Sequence, residues 1–377
     1  MKVPTEVAWL TERLEISRGG QASNVRAMEG LRGFAVFLVF IVHYTTLVKP
    51  WLAGSQALTS LAGHFHAIGN VGVDLFFVLS GYLIYGAQLT RPQRFVKFMG
   101  RRIVRIYPAF LVVFVLYVML SQLFPSESKI PSGAGPTALY LMQNLLLMPG
   151  LFPIEPMITV AWSLSYEMFY YLVVPLFIGM LGMRERSAPA RVRMIAAAAL
   201  MLIILFAVWG GPVRLLMFLA GILLFEAQHG AVRPISAGLG AAACGFALVI
   251  AAMPGGAFLL TPKTVLIAAA FYLFCRAVMD SAKGWLVDAF SWTPVRWLGN
   301  MSYSYYLVHG LALKAGFLLL SKLLPPSPDG SWMLPAALLP MFGLTLVPSL
   351  MLFLFVERPY SLVPAVKRPL AGATAQP

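Results

Sequence analysis

Apolar runs the length of a membrane crossing repeat along the chain, separated by short polar gaps. Ten are marked at roughly 31–49, 68–88, 104–124, 158–181, 193–210, 212–228, 235–253, 263–280, 297–320 and 332–356. A helix needs about 20 mostly apolar residues to cross a bilayer. The pattern therefore predicts an all-α integral membrane protein, a bundle of about ten transmembrane helices. The run Leu139 to Met148 is too short to cross and ends at Pro149-Gly150, so it reads as a re-entrant or interfacial piece. Only Gly210, Gly211 and Pro212 separate the fifth and sixth runs, which predicts a tight helical hairpin.

Composition agrees with this pattern. Hydrophobic residues make up 59% of the chain and charged residues 11%, against about 25% charged in a soluble domain. That leaves too little charge to clothe a water-soluble body of 377 residues. The net charge of +14 does not point to nucleic acid, because the basic residues occupy the gaps between apolar runs and form no continuous basic face. Placing the N-terminus in the cytoplasm puts 22 of the 28 lysines and arginines on the inner side. The positive-inside bias then predicts that both termini are cytoplasmic.

Three regions follow. Residues 1–27 form a cytoplasmic N-terminal segment with no signal-peptide core. There Val7, Leu10 and Leu14 with Trp9 fit either a short interfacial amphipathic helix or a solvated tail. Residues 28–360 form the transmembrane domain, and 361–377 a cytoplasmic tail without order. No internal repeat stands out, and the longest outer loop runs from Pro125 to Thr159. Cys244 and Cys275 lie far apart in apolar runs and read as small buried hydrophobes, and no set of metal ligands is recognised.

Ionisable side chains inside spans are costly and mark function or pairing. Four stand out: His43, Asp74, Glu167 and His309. His43 follows Arg32 by eleven residues, about 17 Å of helix rise, so with Arg32 at the inner headgroup level His43 falls near mid-bilayer. An arginine there suits an anionic carrier, and an imidazole suits proton transfer at neutral pH. Equally, His43 fits a histidine bonded to a neighbouring helix. Asp74 and Glu167 both fall in the outer half, as partners of a base, of an acceptor hydroxyl, or of Trp, Tyr or His on a facing helix. His309 lies near mid-depth after Ser302-Tyr303-Ser304-Tyr305-Tyr306, whose hydroxyls read first as interhelical glue. Arg101, Arg102 and Arg105 precede Tyr107-Pro108. Arg102 and Arg105 share one helical face and serve either as topological anchors or, with Arg32, as a phosphate clasp. Ser80-Gly81 permits close approach of a ligand or a helix. His64 and His66 fall in an outer loop and His229 in an inner one, where solvation explains them.

Six stretches, in order, resemble the acyltransferase 3 family of membrane proteins. They are Met28-Glu29-Gly30-Leu31-Arg32 with His43, then Val73 to Tyr82, then Arg101 to Pro108. Trp162 to Glu167, Leu298 to His309, and Glu357-Arg358-Pro359 complete the set. The resemblance implies transfer of an acyl group, most often acetyl, from cytoplasmic acyl-CoA to a hydroxyl of a glycan, a lipid-linked sugar or a small molecule. It implies catalytic roles for His43, Glu167 and Asp74. It places acyl-CoA, as co-substrate and without a metal, at Arg32, Ser80, Gly81, Arg102, Arg105 and Tyr107, and the acceptor at His309 and Trp162. Tyr166 departs from the acidic residue that many relatives carry beside the position of Glu167. The resemblance also implies the inner (plasma) membrane of a bacterium. His43 then acts as general base or as acyl carrier. The rival reading is a proton-coupled transporter or flippase of a lipid-linked sugar, which intramembrane histidines and acids also suit.

Overall fold

In a bilayer every backbone polar group needs an internal partner, and helices supply it within one segment. The computed structural model describes residues 5–16, 23–230, 232–280 and 283–362, and they fold as helices joined by short turns. In chain order these are α1 (Thr5–Leu14), α2 (Ser23–Val48), α3 (Gln56–Thr90), α4 (Phe95–Leu123), α5 (Ala134–Leu145), α6 (Trp162–Met180), α7 (Ala188–Trp209) and α8 (Leu215–His229). Then come α9 (Ala237–Ala252), α10 (Ala257–Asp280), α11 (Trp285–Phe290), α12 (Thr293–Asn300), α13 (Ser302–Leu323), α14 (Met333–Ala336) and α15 (Leu338–Leu352). A π-helical stretch, Phe353–Leu362, continues α15. Most of the expected tail, from residue 363 onward, lies outside the described residues.

Eight helices among the described residues are long and apolar enough to cross a membrane. α8 and α9 occupy the sixth and seventh expected spans but have 15 and 16 residues. At 1.5 Å per residue each rises only about 22–24 Å, less than the ~30 Å hydrocarbon core. α8 is also enclosed by protein, with Leu215 to Ile222 buried without interruption. Where it crosses α3 the two backbones nearly touch: a Cβ at Gly81 would lie 2.1 Å from the Phe218 carbonyl oxygen, and one at Gly221 1.9 Å from that of Val78. The close approach at Gly81 is therefore to a helix, not to a ligand.

Several boundaries differ from the apolar runs. α2 starts eight residues before its run and α3 twelve before, because polar but helix-favouring residues extend each helix beyond its apolar part. Ser55 caps α3 by accepting from the Leu58 N–H. His64 and His66 thus lie on α3 rather than in a loop, and His66 faces Thr46 of α2. The run 297–320 is two helices, since α12 closes at Asn300 and α13 begins at Ser302. The Asn300 amide donates to the Leu14 carbonyl, which fixes that break against α1.

Hydrogen bonds and ion pairs sort the connections onto two faces. On the basic face Arg296 pairs with Glu15 and Glu29, Arg184 donates to the Gln88 carbonyl, and Arg358 donates to the Glu12 carbonyl. α1 and the end of the π-helical stretch therefore meet on one face. On the opposite, loop face, Tyr44 donates to the Leu334 carbonyl, Trp51 to that of Leu324, and Lys129 pairs with Glu155. From that face the stretch after α5 turns into the bundle. Tyr107, in the body of α4, donates to the Leu145 carbonyl, and Ser165 of α6 bonds to that of Pro149. The segment expected to be re-entrant or interfacial, Leu139 to Met148, is thus held against α4 through Leu145.

Candidate functional site

Eleven residues are close to three full turns of an α-helix, so α2 presents Arg32 and His43 on one face, about 17 Å apart. Each lines a different cavity.

The smaller cavity, about 70 Å³, lies among α2, α3, α6 and α13. Arg32, Phe76, Ser80, Glu167, Tyr303 and Tyr306 are among its walls. Arg32 donates from Nε and Nη2 to Ser302 Oγ at 3.1 and 2.9 Å. Ser302 stands there because the break at Met301 starts α13 beside α2. Glu167 Oε1 accepts from Tyr171 at 2.7 Å and from Ser80 Oγ at 3.3 Å. A guanidinium, a carboxylate and five hydroxyl side chains, those of Ser80, Ser163, Ser302, Tyr303 and Tyr306, thus converge in a space of a few atoms.

The larger cavity, about 580 Å³, is in the size range of small-molecule sites. His43, Tyr117, Met157, Val160, Leu307 and Lys314 belong to its mainly apolar lining. Glu127 and Lys314 pair beside it, and both are exposed on the loop face. The Lys314 ammonium, by hydrogen bond and charge, holds the Glu127 carboxyl below the usual carboxylate range. The His43 ring meets that of His309 edge-on, centroids 4.9 Å apart. His309 is fully buried, and its Nδ1 faces the carbonyls of Tyr305 and Tyr306 at 2.9 and 3.0 Å. Carbonyls only accept, so Nδ1 carries the proton and Nε2 is left as an acceptor. Among the described residues that Nε2 has no hydrogen-bond partner. His309 itself lines neither cavity, but a partnerless acceptor buried beside a cavity histidine is an unusual cost, and a hydroxyl reaching past His43 is a group that would satisfy it.

The structure thus brings His43 and His309 together on one side, and Arg32, Ser80 and Glu167 on the other. Glu167, expected in the outer half, lines the same small cavity as Arg32. Asp74 lines neither cavity. Because α3 starts earlier than its apolar run, Asp74 sits midway along the helix, buried against Arg214 at 3.4 Å. This is an ion contact without an aligned hydrogen bond. Trp162 stacks beneath the same Arg214, with its ring centroid 5.4 Å from the guanidinium carbon. Tyr107 is held to the re-entrant segment by its bond to Leu145. Arg102 lies over the rings of Phe98 and Tyr171, and Arg105 is bound to Glu357 at 2.6 Å.

Sequence reasoning overlooked Ser302, Ser163, Lys314 and Glu357 as site or support residues. Ser163 and Ser302 stand inside the stretches already singled out, but serine within a span reads as glue. Lys314 gave a signal, a lysine within an apolar run, that was spent on topology.

The family model described as acyltransferase domain matches residues 25–354. The chain is similar to the acyltransferase MdmB of Streptomyces mycarofaciens, at 28% identity across 92% of this chain and 94% of that one. It is similar to the exopolysaccharide production protein ExoZ of Rhizobium meliloti, at 29% identity across 67% of this chain and 78% of that one. It is also similar to the putative peptidoglycan O-acetyltransferase YrhL of Bacillus subtilis, at 27% identity across 76% of this chain and 48% of that one. No solved structure matches the chain.

Proposed function

The chain belongs to this acyltransferase family as an integral membrane enzyme, and on that premise we propose that it carries an acyl group from cytoplasmic acyl-CoA to a hydroxyl of an envelope or exported glycan. The observation that carries the reading is the division of labour along α2: Arg32 in one cavity and His43 in the other, on one face of one helix. We take the basic face as cytoplasmic, in keeping with its arginines, with both termini there and the inner membrane of a bacterium as the host bilayer.

Acyl-CoA docks from the basic face with its phosphates toward Arg32 and Arg102. Its thioester arm follows α2 toward His43. The acceptor enters the larger cavity from the loop face. The acceptor oxygen attacks the thioester carbonyl carbon and His43 takes its proton. The carbon–sulfur bond breaks, and the leaving thiolate recovers that proton from the imidazolium as free CoA. In the variant path His43 attacks first and passes the acyl group on. His309, its Nδ1 committed to backbone carbonyls, offers Nε2 to orient the hydroxyl. Acetyl is the donor group most in keeping with the name of the relative YrhL, and glycan the acceptor class in keeping with YrhL and ExoZ.

The reading is tested by giving the purified protein labelled acetyl-CoA with peptidoglycan, exopolysaccharide and lipid-linked sugar acceptors. Label appearing on a glycan is the expected result, and none on any of them would sink the proposal. Arg32→Ala is expected to raise the KM for acetyl-CoA roughly ten- to a hundredfold, as for loss of charge-assisted hydrogen bonds worth about 1.5–3 kcal/mol. The KM for the acceptor should stay put. An unchanged donor KM would remove Arg32 from the donor site.

A further inference from the structure

The two cavities come closest to one another around one side chain. Tyr306 lines the smaller cavity, and its neighbour Leu307 lines the larger. The Tyr306 hydroxyl is 2.8 Å from Ser163 Oγ, in the wall of the smaller cavity. It also donates, at 3.1 Å, to the carbonyl of Val160, in the wall of the larger one. Phe76 packs edge-on against the Tyr306 ring at 6.1 Å, and the His309 ring lies 6.1 Å away at a tilt. The ring thus forms part of the smaller cavity's wall, and its tip is latched to Ser163 and to Val160 of the larger cavity's wall.

This has a chemical consequence, which rests on the function proposed above. A thioester arriving from the Arg32 side meets Tyr306 before it meets His43. The smaller cavity, at about 70 Å³, holds roughly two waters' share of liquid volume. The larger one opens toward the loop face and its water. A permanent opening would let water reach the thioester: water oxygen would attack the carbonyl carbon, the carbon–sulfur bond would break, and free acid and CoA thiol would result. That reaction consumes donor and transfers nothing.

We propose that Tyr306 is a positioning gate, latched by Ser163 and Val160, that keeps the donor thioester from loop-face water until an acceptor occupies the larger cavity. Turning the ring away costs two buried hydrogen bonds, and an acceptor hydroxyl arriving at His43 and His309 supplies new ones. The gate thereby couples donor consumption to acceptor presence.

Two substitutions loosen the latch from opposite sides. Tyr306→Phe keeps the ring and loses its hydroxyl, and Ser163→Ala removes the facing oxygen. The measurement is the ratio of acetyl-CoA hydrolysed to acetyl transferred, using purified full-length protein with and without acceptor. Both variants are expected to raise this ratio at least fivefold. The double variant should add little to Tyr306→Phe, because the Ser163 contact is then already gone. Circular dichroism and CoA binding confirm that each variant is folded, and Tyr306→Leu, which keeps apolar bulk, stands in for one that is not. A ratio within twofold of wild type in folded variants would overturn the gate. Wild type that transfers acetyl while the variants keep its ratio defeats the gate alone. Wild type that neither transfers nor hydrolyses acetyl-CoA defeats both the gate and the proposed function.

Discussion

His43→Ala is expected to lower acyl transfer by roughly 10²- to 10⁴-fold, the loss typical of removing a positioned general base, with acetyl-CoA still bound. The bland alternative is that His43 is a packing residue and the variant fails by unfolding. The geometry argues against that outcome. His43 is half-buried on a cavity wall, and the contact that defines its setting is the edge-on meeting with His309. Truncating it enlarges an existing cavity rather than opening a hole in a packed core. A large loss of rate with a small change in melting temperature is thus the signature of chemistry. Rapid quenching with labelled acetyl-CoA and no acceptor separates the two mechanisms. Label on His43 marks the acyl carrier, and its absence with active transfer marks the general base. Full transfer by His43→Ala would end both and move the chemistry to another residue.

What was legible in the sequence followed from the bilayer's demands. A run near twenty apolar residues has few alternatives to a spanning helix, so the helical bundle could be read directly. Helix ends could not, because residues such as Gln56 to Ala67 continue a helix beyond its apolar part and carry no lipid signal. His43 and Arg32 were legible because a charge or imidazole within an apolar run is costly wherever the helix packs. Eleven-residue spacing also fixes their common face without any tertiary information. The Tyr306 latch was hidden for the opposite reason. Tyr306 and Ser163 are 143 positions apart, hydroxyls in spans are common, and only the packing of α13 against the turn Thr159–Ala161 that leads into α6 makes these two meet. The same limit applied to the acids. Asp74 and Glu167 both looked like outer-half carboxylates. Partners decide their roles: Arg214 for one and Ser80 for the other come from other parts of the chain, and Tyr171, one turn along α6, completes the second.

Arg105 shows how a partner changes a role, and Arg105→Ala carries the second large expectation: loss of about 3–5 kcal/mol of stability, the cost of leaving a buried charge uncompensated. Its i, i+3 spacing with Arg102 suited a phosphate clasp. In the structure its guanidinium is spent on Glu357, 252 residues away. Glu357 is fully buried, and its second oxygen accepts from the Ser304 N–H at 2.9 Å and the Ser304 hydroxyl at 2.5 Å. These bonds tie α4, α13 and the π-helical stretch together where α13 starts, two residues from the Ser302 that holds Arg32. Removing Arg105 leaves a buried carboxylate that, among the described residues, keeps its bonds from Ser304 but loses its counter-charge. Removing the charge at both ends, Arg105→Ala with Glu357→Gln, should recover much of the loss, since the stranded charge goes too. Thermal unfolding in detergent of the two single variants and the double variant gives the coupling directly. A phosphate ligand would behave otherwise: Arg105→Ala would keep its melting temperature and raise only the KM for acyl-CoA. That pattern would return Arg105 to the donor site, whereas a fall in stability rescued by Glu357→Gln makes it the strut on which the Arg32 cavity stands.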